Sequence, residues 1–391
     1  MRRLAVRIGL ETLFFSGAHR VMRRFTGGVG GILLLHHVRP ERADAFQPNR
    51  VLEITPEFLT TIVRRLQRSG ADFVSLDEVH RRLTEQNFGR RFVAMTLDDG
   101  YRDNKEWAYP ILKQHDVPFA IYVPSGFPDR VGQLWWVALE QIIARNDTVA
   151  LAMDDRDCRV SCRSVREKYQ AYEHLYWWLR SQPSDAAMFA IMRELSARYR
   201  VDLAEICETL CMSWEDLAAV AADPLVTIGS HTVNHALLAK APADAVRSEL
   251  KMGRAVIEAA LGRPPRHLAY PYGDSTAVGP REYAIAAELG FLTAVTTRPG
   301  VLFPEHGGQL TALPRIPING NLRSGRYVDV LVSGANSTLS RAIRRFVPDR
   351  ARSPRWTQAS CGRTGVEPNE TDRGSRAART AGRGIEPAAH G

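Results

Sequence analysis

Phe92-Val93-Ala94-Met95-Thr96-Leu97-Asp98-Asp99-Gly100 passes from apolar to doubly acidic and ends on a glycine. Its first four residues predict a buried parallel strand, being short, apolar and bounded by charge. That strand delivers two adjacent carboxylates onto a turn. Such a pair repels and loses solvation together, so it calls for a cation or a shared proton. A second apolar run, Leu225-Val226-Thr227-Ile228, leads into Gly229-Ser230-His231-Thr232-Val233-Asn234-His235. The spacing predicts that the two histidines share one face of a helical turn and close on a single ion. One carboxylate and two imidazoles make a three-ligand divalent metal site with open positions for water and substrate. The other carboxylate is left to act as a base. These donors point to a hydrolase.

Outward from this stretch the chain alternates strand and helix. Gly27-Gly28-Val29-Gly30-Gly31 reads as a flexible entry to the strand Ile32-Leu33-Leu34-Leu35, which ends at His36-His37. Thr55-Pro56-Glu57 starts a helix with threonine at the cap and proline in the first turn. Phe73-Val74-Ser75-Leu76 reads as a strand, with Asp77-Glu78-Val79 opening the next helix. A helix over 104–115 and a strand at Phe119-Ala120-Ile121-Tyr122-Val123 follow. After Leu225 the rhythm resumes with a helix over 243–261, a strand over 267–270, a helix over 280–289, and strands at 293–295 and 313–316. The alternation predicts an α/β chain whose parallel sheet closes as a barrel, with functional residues after the strands' C-terminal ends. Between about 128 and 223 it breaks into a mostly helical insertion carrying Trp135-Trp136 and Tyr176-Trp177-Trp178. The expected organisation is an amphipathic helix over 1–26, a barrel over 27–346 and a disordered basic tail over 347–391, where large apolar residues almost vanish.

Charge and composition narrow the function classes. Of the formal +9, residues 1–24 hold +5 from six arginines and one glutamate, and residues 341–391 hold +6 from eleven arginines against five acids. The body therefore carries about −2, which argues against a nucleic-acid groove and leaves an anionic membrane surface as a partner for the ends. Arg7 and Glu11 interrupt the apolar stretch that a signal peptide needs, and no run approaches the length of a bilayer span. A cytoplasmic chain is the expectation, with the N-terminal helix packed on the body or, as the alternative, in peripheral contact with the inner membrane. The CxxxC pairs Cys158/Cys162 and Cys207/Cys211 are expected on adjacent helical turns as buried thiols, in keeping with a reducing compartment.

TLDDG, then SHTVNH, then Tyr270-Pro271-Tyr272-Gly273, each just after a predicted strand, resembles the NodB-homology polysaccharide deacetylases of carbohydrate esterase family 4. The likeness covers roughly residues 29–320, the insertion excepted. It extends to a bacterial subgroup whose first strand ends in a histidine, here Leu35-His36-His37. The resemblance implies a NodB-type distorted (β/α) barrel. It also implies a divalent metal, usually zinc, on Asp99, His231 and His235, with Asp98 as the general base that deprotonates the attacking water. The Tyr272 position supplies a backbone N–H to the oxyanion. The chain departs from the family pattern twice. Where many members carry an arginine that pairs with the catalytic aspartate, it has Ala269, so Arg315 is the substitute candidate with Arg266 as its alternative. The late histidine that serves as general acid is not visible after residue 290, so His36 is the expected proton donor.

Plainer readings stand beside these. His36 or His37 is a satisfied histidine under a loop, Arg315 is only a buried ion-pair partner, Asp103 caps the following helix, and Trp135 and Trp136 pack the insertion rather than stack on sugars. The expected activity is removal of an N-acetyl group from an amino sugar of a poly- or oligosaccharide. The alternatives are a deformylase or deacylase of a lipid-linked sugar, and an inactive glycan-binding relative.

Overall fold

The computed structural model describes residues 2–154 and 156–335. Seven parallel strands close into a barrel: β1 (Gly30–Leu35), β2 (Phe92–Leu97), β3 (Phe119–Val123), β4 (Val226–Ser230), β5 (His267–Ala269), β6 (Thr293–Pro299) and β7 (Leu313–Pro317). The order around the barrel is β1-β7-β6-β5-β4-β3-β2, and β2 returns to β1 through six paired residues from Gly30↔Phe92 to Leu35↔Leu97. β1, β2 and β3 are buried along their whole length. This is why they read as continuous apolar runs rather than as alternating ones.

Helices cover the outside. Pro56–Arg68 has Thr55 as its cap, accepting from the Phe58 N–H, and buries Phe58, Leu59, Ile62, Val63 and Leu66 against the barrel. Each such side chain contributes about 1.5–3 kcal/mol on leaving water. The strand expected over 73–76 is shorter and earlier, at Asp72–Phe73, because Ser75 is the cap of a helix beginning at Leu76. The glycine run is no loose entry throughout. Gly30 and Gly31 belong to β1, and a Cβ on Gly30 would lie 2.6 Å from the Phe92 carbonyl oxygen.

The insertion holds the helices Trp135–Arg145, Val165–Ser181, Asp185–Arg198, Leu203–Leu210 and Trp214–Ala221 around a core of its own. It also holds an antiparallel hairpin, Thr148–Met153 with Arg156–Ser161. Cys158 therefore lies on a strand, with Cys162 just beyond it, and not on the helical turns their spacing suggested. The N-terminal helix is two helices, Arg2–Phe15 and Ala18–Thr26, broken at Gly17, which is left-handed at φ 70°. The basic tail expected from residue 347 lies outside the described residues.

Candidate active site

The register of the barrel brings the motifs together. Leu35 pairs with Leu97, so His36 and Asp98 leave adjacent strands side by side, and the Asp98 N–H donates to the Leu35 carbonyl at 2.9 Å. Val123 pairs with Ser230, and the His231 N–H donates to the Val123 carbonyl at 3.0 Å. All the candidate residues thus collect at the C-terminal end of the barrel, where a parallel barrel leaves its strand ends and loops free for chemistry.

Two carboxylates one residue apart have opposite surroundings. Asp98 is gripped by Arg315 through two parallel bonds, Nη1 to Oδ1 and Nη2 to Oδ2, both 2.7 Å. The guanidinium is fully buried and spends its other donors on the Thr296 carbonyl and the Thr96 hydroxyl. Burial alone would raise the Asp98 carboxyl, but the charge and hydrogen bonds of Arg315 bring it below the ordinary carboxylate range. Arg266 is elsewhere, paired with Asp77.

Asp99 faces imidazoles instead. His231 Nε2 and His235 Nε2 each lie 3.4 Å from Asp99 Oδ1, too long for well-formed hydrogen bonds. That oxygen is buried without a hydrogen-bond partner. His231 Nδ1 meets the Ala269 carbonyl at 2.7 Å, which fixes the tautomer and turns Nε2 toward Asp99. Burial lowers His235, and Asp99 opposes this only in part, so its imidazole is held in the neutral form that ligates metals. An orphaned carboxylate oxygen facing two imidazole nitrogens fits a divalent cation. The ligand atoms of Asp99, His231 and His235 all lie within 4.8 Å of one another.

The histidines do not sit on a helical turn as their spacing predicted. Thr232 (φ 67°) and His235 (φ 54°) are left-handed, and the segment is an irregular loop. Glu249 holds it by accepting from the N–H groups of Val233 and Asn234. Asp99 (φ 74°) and Tyr272 (φ 59°) are left-handed too. Four strained non-glycine residues at one end of the barrel mark a place where geometry outranks local preference.

Tyr272 sits at the rim, and among the described residues its N–H donates no hydrogen bond. Its hydroxyl accepts from Trp135 Nε1 at 2.8 Å. Trp135 is wholly buried and serves packing. Trp136 is nearly buried but also lines the site, its ring centroid 4.9 Å from that of His235. His36 lines the same cavity as Asp98 and Asp99. Burial pulls its imidazole below the ordinary value, and the charges of Asp99 and Asp98 oppose this only in part. His37 points elsewhere, stacked on Tyr101 and bonded through Nδ1 to Asp103 at 2.6 Å. Asp103 therefore ties the first strand's end to the second rather than capping its own helix, where its side chain makes no cap bond.

The cavity measures about 1060 Å³, and one wall is the insertion helix Val165–Ser181. Arg166, Tyr169, Gln170, Glu173, Trp177 and Arg180 face into it at helical spacing. In the sequence, this segment shows only an aromatic cluster. The three- and four-residue recurrence of large polar and aromatic side chains was the signal that could have found this wall. Arg180 is anchored over the Tyr272 ring, 4.5 Å from its centroid, and paired with Asp274.

Residues 141–293 match the family model described as Polysaccharide deacetylase. Over these residues the chain resembles the polysaccharide deacetylases. The match includes His231, His235 and Tyr272 and begins after Asp98 and Asp99. The match supports hydrolytic deacetylation of a carbohydrate as the reaction class. Among solved structures, the deacetylase PplD of Streptococcus pyogenes in complex with acetate is similar at 20% identity and TM-score 0.50, over 74% of this chain and 92% of that one. IcaB from Ammonifex degensii is similar at 19% identity and TM-score 0.49, over 78% of this chain and 97% of that one. At such identity the first of these shows a shared fold. No curated protein matches the chain.

Proposed function

We propose that this deacetylase removes N-acetyl groups from an amino sugar within an oligo- or polysaccharide, with a divalent metal, zinc by preference, held by Asp99, His231 and His235. The observation that carries this reading is the division between the adjacent carboxylates, one facing two imidazoles and the other a guanidinium. When bound, the metal supplies Lewis-acid polarisation of the amide carbonyl and a lowered pKa for the attacking water. Asp98 accepts the proton of that water, held in place and ionised by Arg315 behind it. Arg315 does not line the cavity and acts as a positioning residue. The Tyr272 N–H, without another acceptor among the described residues, donates to the oxyanion. His36, on the opposite side of the carboxylate pair by strand order, donates a proton to the departing amine.

A cavity of this volume with the aromatic rings of Tyr169 and Trp177 in one wall supports a substrate of several sugar units. The test is incubation with zinc or cobalt and a panel of N-acetylglucosamine oligomers, followed by mass spectrometry. Loss of acetyl groups that stops with chelator and returns with metal is expected. Turnover unchanged by thorough chelation would remove the metal from the proposal, and release of formate from a lipid-linked sugar would favour the second reading. The exposed apolar side chains of the N-terminal helices favour that second reading.

A further inference from the structure

The N-terminal helix pair is firmly attached to the barrel, yet its outer face is apolar. In Arg2–Phe15, Leu10 is buried against Tyr327 and Val330 of the helix Gly325–Val332, with Leu13 and Phe14 beside it. His19 of the second helix stacks on Phe14 and meets the Leu13 carbonyl at 2.9 Å, and Thr26 donates to the Ser333 carbonyl at 2.8 Å. Packing therefore accounts for the inner face. It leaves Phe25 79% exposed, Phe15 69%, Val21 66% and Ile8 56%. Large apolar side chains concentrated at this exposure on one short segment are a cost to a free surface and call for a partner.

The charges around them say which partner. Arg7, Arg20, Arg23 and Arg24 are exposed, and Arg20, Arg23 and Arg24 form no ion pair among the described residues. The one acid of the segment, Glu11, is already engaged by the Tyr327 hydroxyl at 2.6 Å. On the second helix Val21 and Phe25 form one stripe and Arg20 and Arg24 the stripe next to it, each at a spacing of four. An apolar stripe flanked by unpaired arginines is the pattern of a helix lying in a bilayer interface, with rings among the acyl chains and guanidinium groups at the lipid phosphates. We propose that this helix pair docks the enzyme onto an anionic phospholipid bilayer.

The docking face is presented by helices that are already folded, so membrane binding does not have to repay their ordering. About +5 gathered over residues 1–24, beside a body near −2, also favours approach of this face to an anionic surface. The chain would work as a peripheral protein at a membrane surface.

The test is cosedimentation of the 391-residue chain with vesicles of phosphatidylcholine alone and of phosphatidylcholine with phosphatidylglycerol, each at low and high salt. Binding to the anionic vesicles only, weakened by salt, is expected. Two paired variants of exposed residues, Val21→Ser/Phe25→Ser and Arg20→Glu/Arg24→Glu, should each lower the partition by about tenfold or more. Melting temperature and turnover of a soluble oligosaccharide should stay as in the parent chain. Absence of sedimentation, equal binding to neutral vesicles, or binding that survives both variants would each overturn the proposal. So would a dimer in light scattering that Val21→Ser/Phe25→Ser dissolves, since the face would then belong to a second copy. If one variant melts early, the other and the parent chain still decide.

Discussion

Arg315, on the last strand of the barrel, holds Asp98 at the end of the second through two bonds of 2.7 Å. Both side chains are almost wholly buried, so removing one partner strands a charge. Arg315→Met should cost about 3 kcal/mol or more of stability, and Asp98→Leu in the same chain should recover most of it. Neither chain should turn over substrate. Denaturant melts of both variants check the pair, and an Arg315→Met chain as stable as the parent would show the pairing to be idle.

Asp98→Asn and Asp99→Asn should fail differently. The first amide cannot take a proton, so metal content should stay stoichiometric while kcat falls about 10²-fold or more. The second should lose the metal itself, as read by elemental analysis after dialysis. An exchange of these two phenotypes would exchange the two assignments.

His36 gives a pH dependence with a definite sign. Its imidazole is held below the ordinary value of 6.5, by burial first. As a donor it must carry its proton, so kcat/KM should fall as pH rises through a value under 6.5. In His36→Gln the rate should drop about 10²-fold and that limb should vanish. A limb that persists in the glutamine variant at near-parental rate would take His36 out of the reaction.

Gly253 lies in the helix Ala243–Leu261, directly under the histidine loop. A Cβ there would sit 2.9 Å from the Thr232 carbonyl carbon and 3.0 Å from its oxygen. Gly253→Ala should push the loop outward and weaken metal affinity about tenfold, with kcat largely restored at saturating metal. Titration with zinc against a competing chelator measures it, and unchanged affinity would mean the loop yields freely.

Trp177, 38% exposed in the cavity wall, should act on substrate length. Trp177→Ala is expected to raise KM for longer oligomers by about five- to tenfold, with little change in kcat or in KM for a single sugar. An equal effect on all lengths would place the ring against the reacting unit instead.

The barrel was legible because its buried strands are unbroken apolar runs that end abruptly in polar motifs. The helix Pro56–Arg68 and the helix Ala243–Leu261 follow from caps and periodicity in the same way. Where reading failed, a tertiary cause is visible. The i, i+4 spacing of His231 and His235 imitates a helix, but Glu249 and the left-handed Thr232 and His235 impose a loop. In the missed hairpin, Cys158 and Val160 alternate with exposed neighbours, a period of two that a cysteine spacing argument obscured. The gap that Ala269 leaves makes Arg315 a candidate in the sequence, but only the closed barrel shows its guanidinium spanning to Asp98. The wall of Val165–Ser181 was invisible for a related reason, since nothing in the segment itself says that it folds back over the barrel mouth.

The distance in sequence between Asp98 and Arg315 sets an order of events during synthesis. The carboxylate pair emerges early and the histidine loop follows, with Glu249 and Ala269, which hold that loop, later still. The guanidinium arrives only with the strand that pairs with the first one and shuts the cylinder. Until then Asp98 is an unpaired charge bound for the interior, which itself favours waiting for the last strand. A chain that ends before β7 would therefore leave Asp98 without its guanidinium partner. On the proposed mechanism, hydrolysis would wait for the finished barrel.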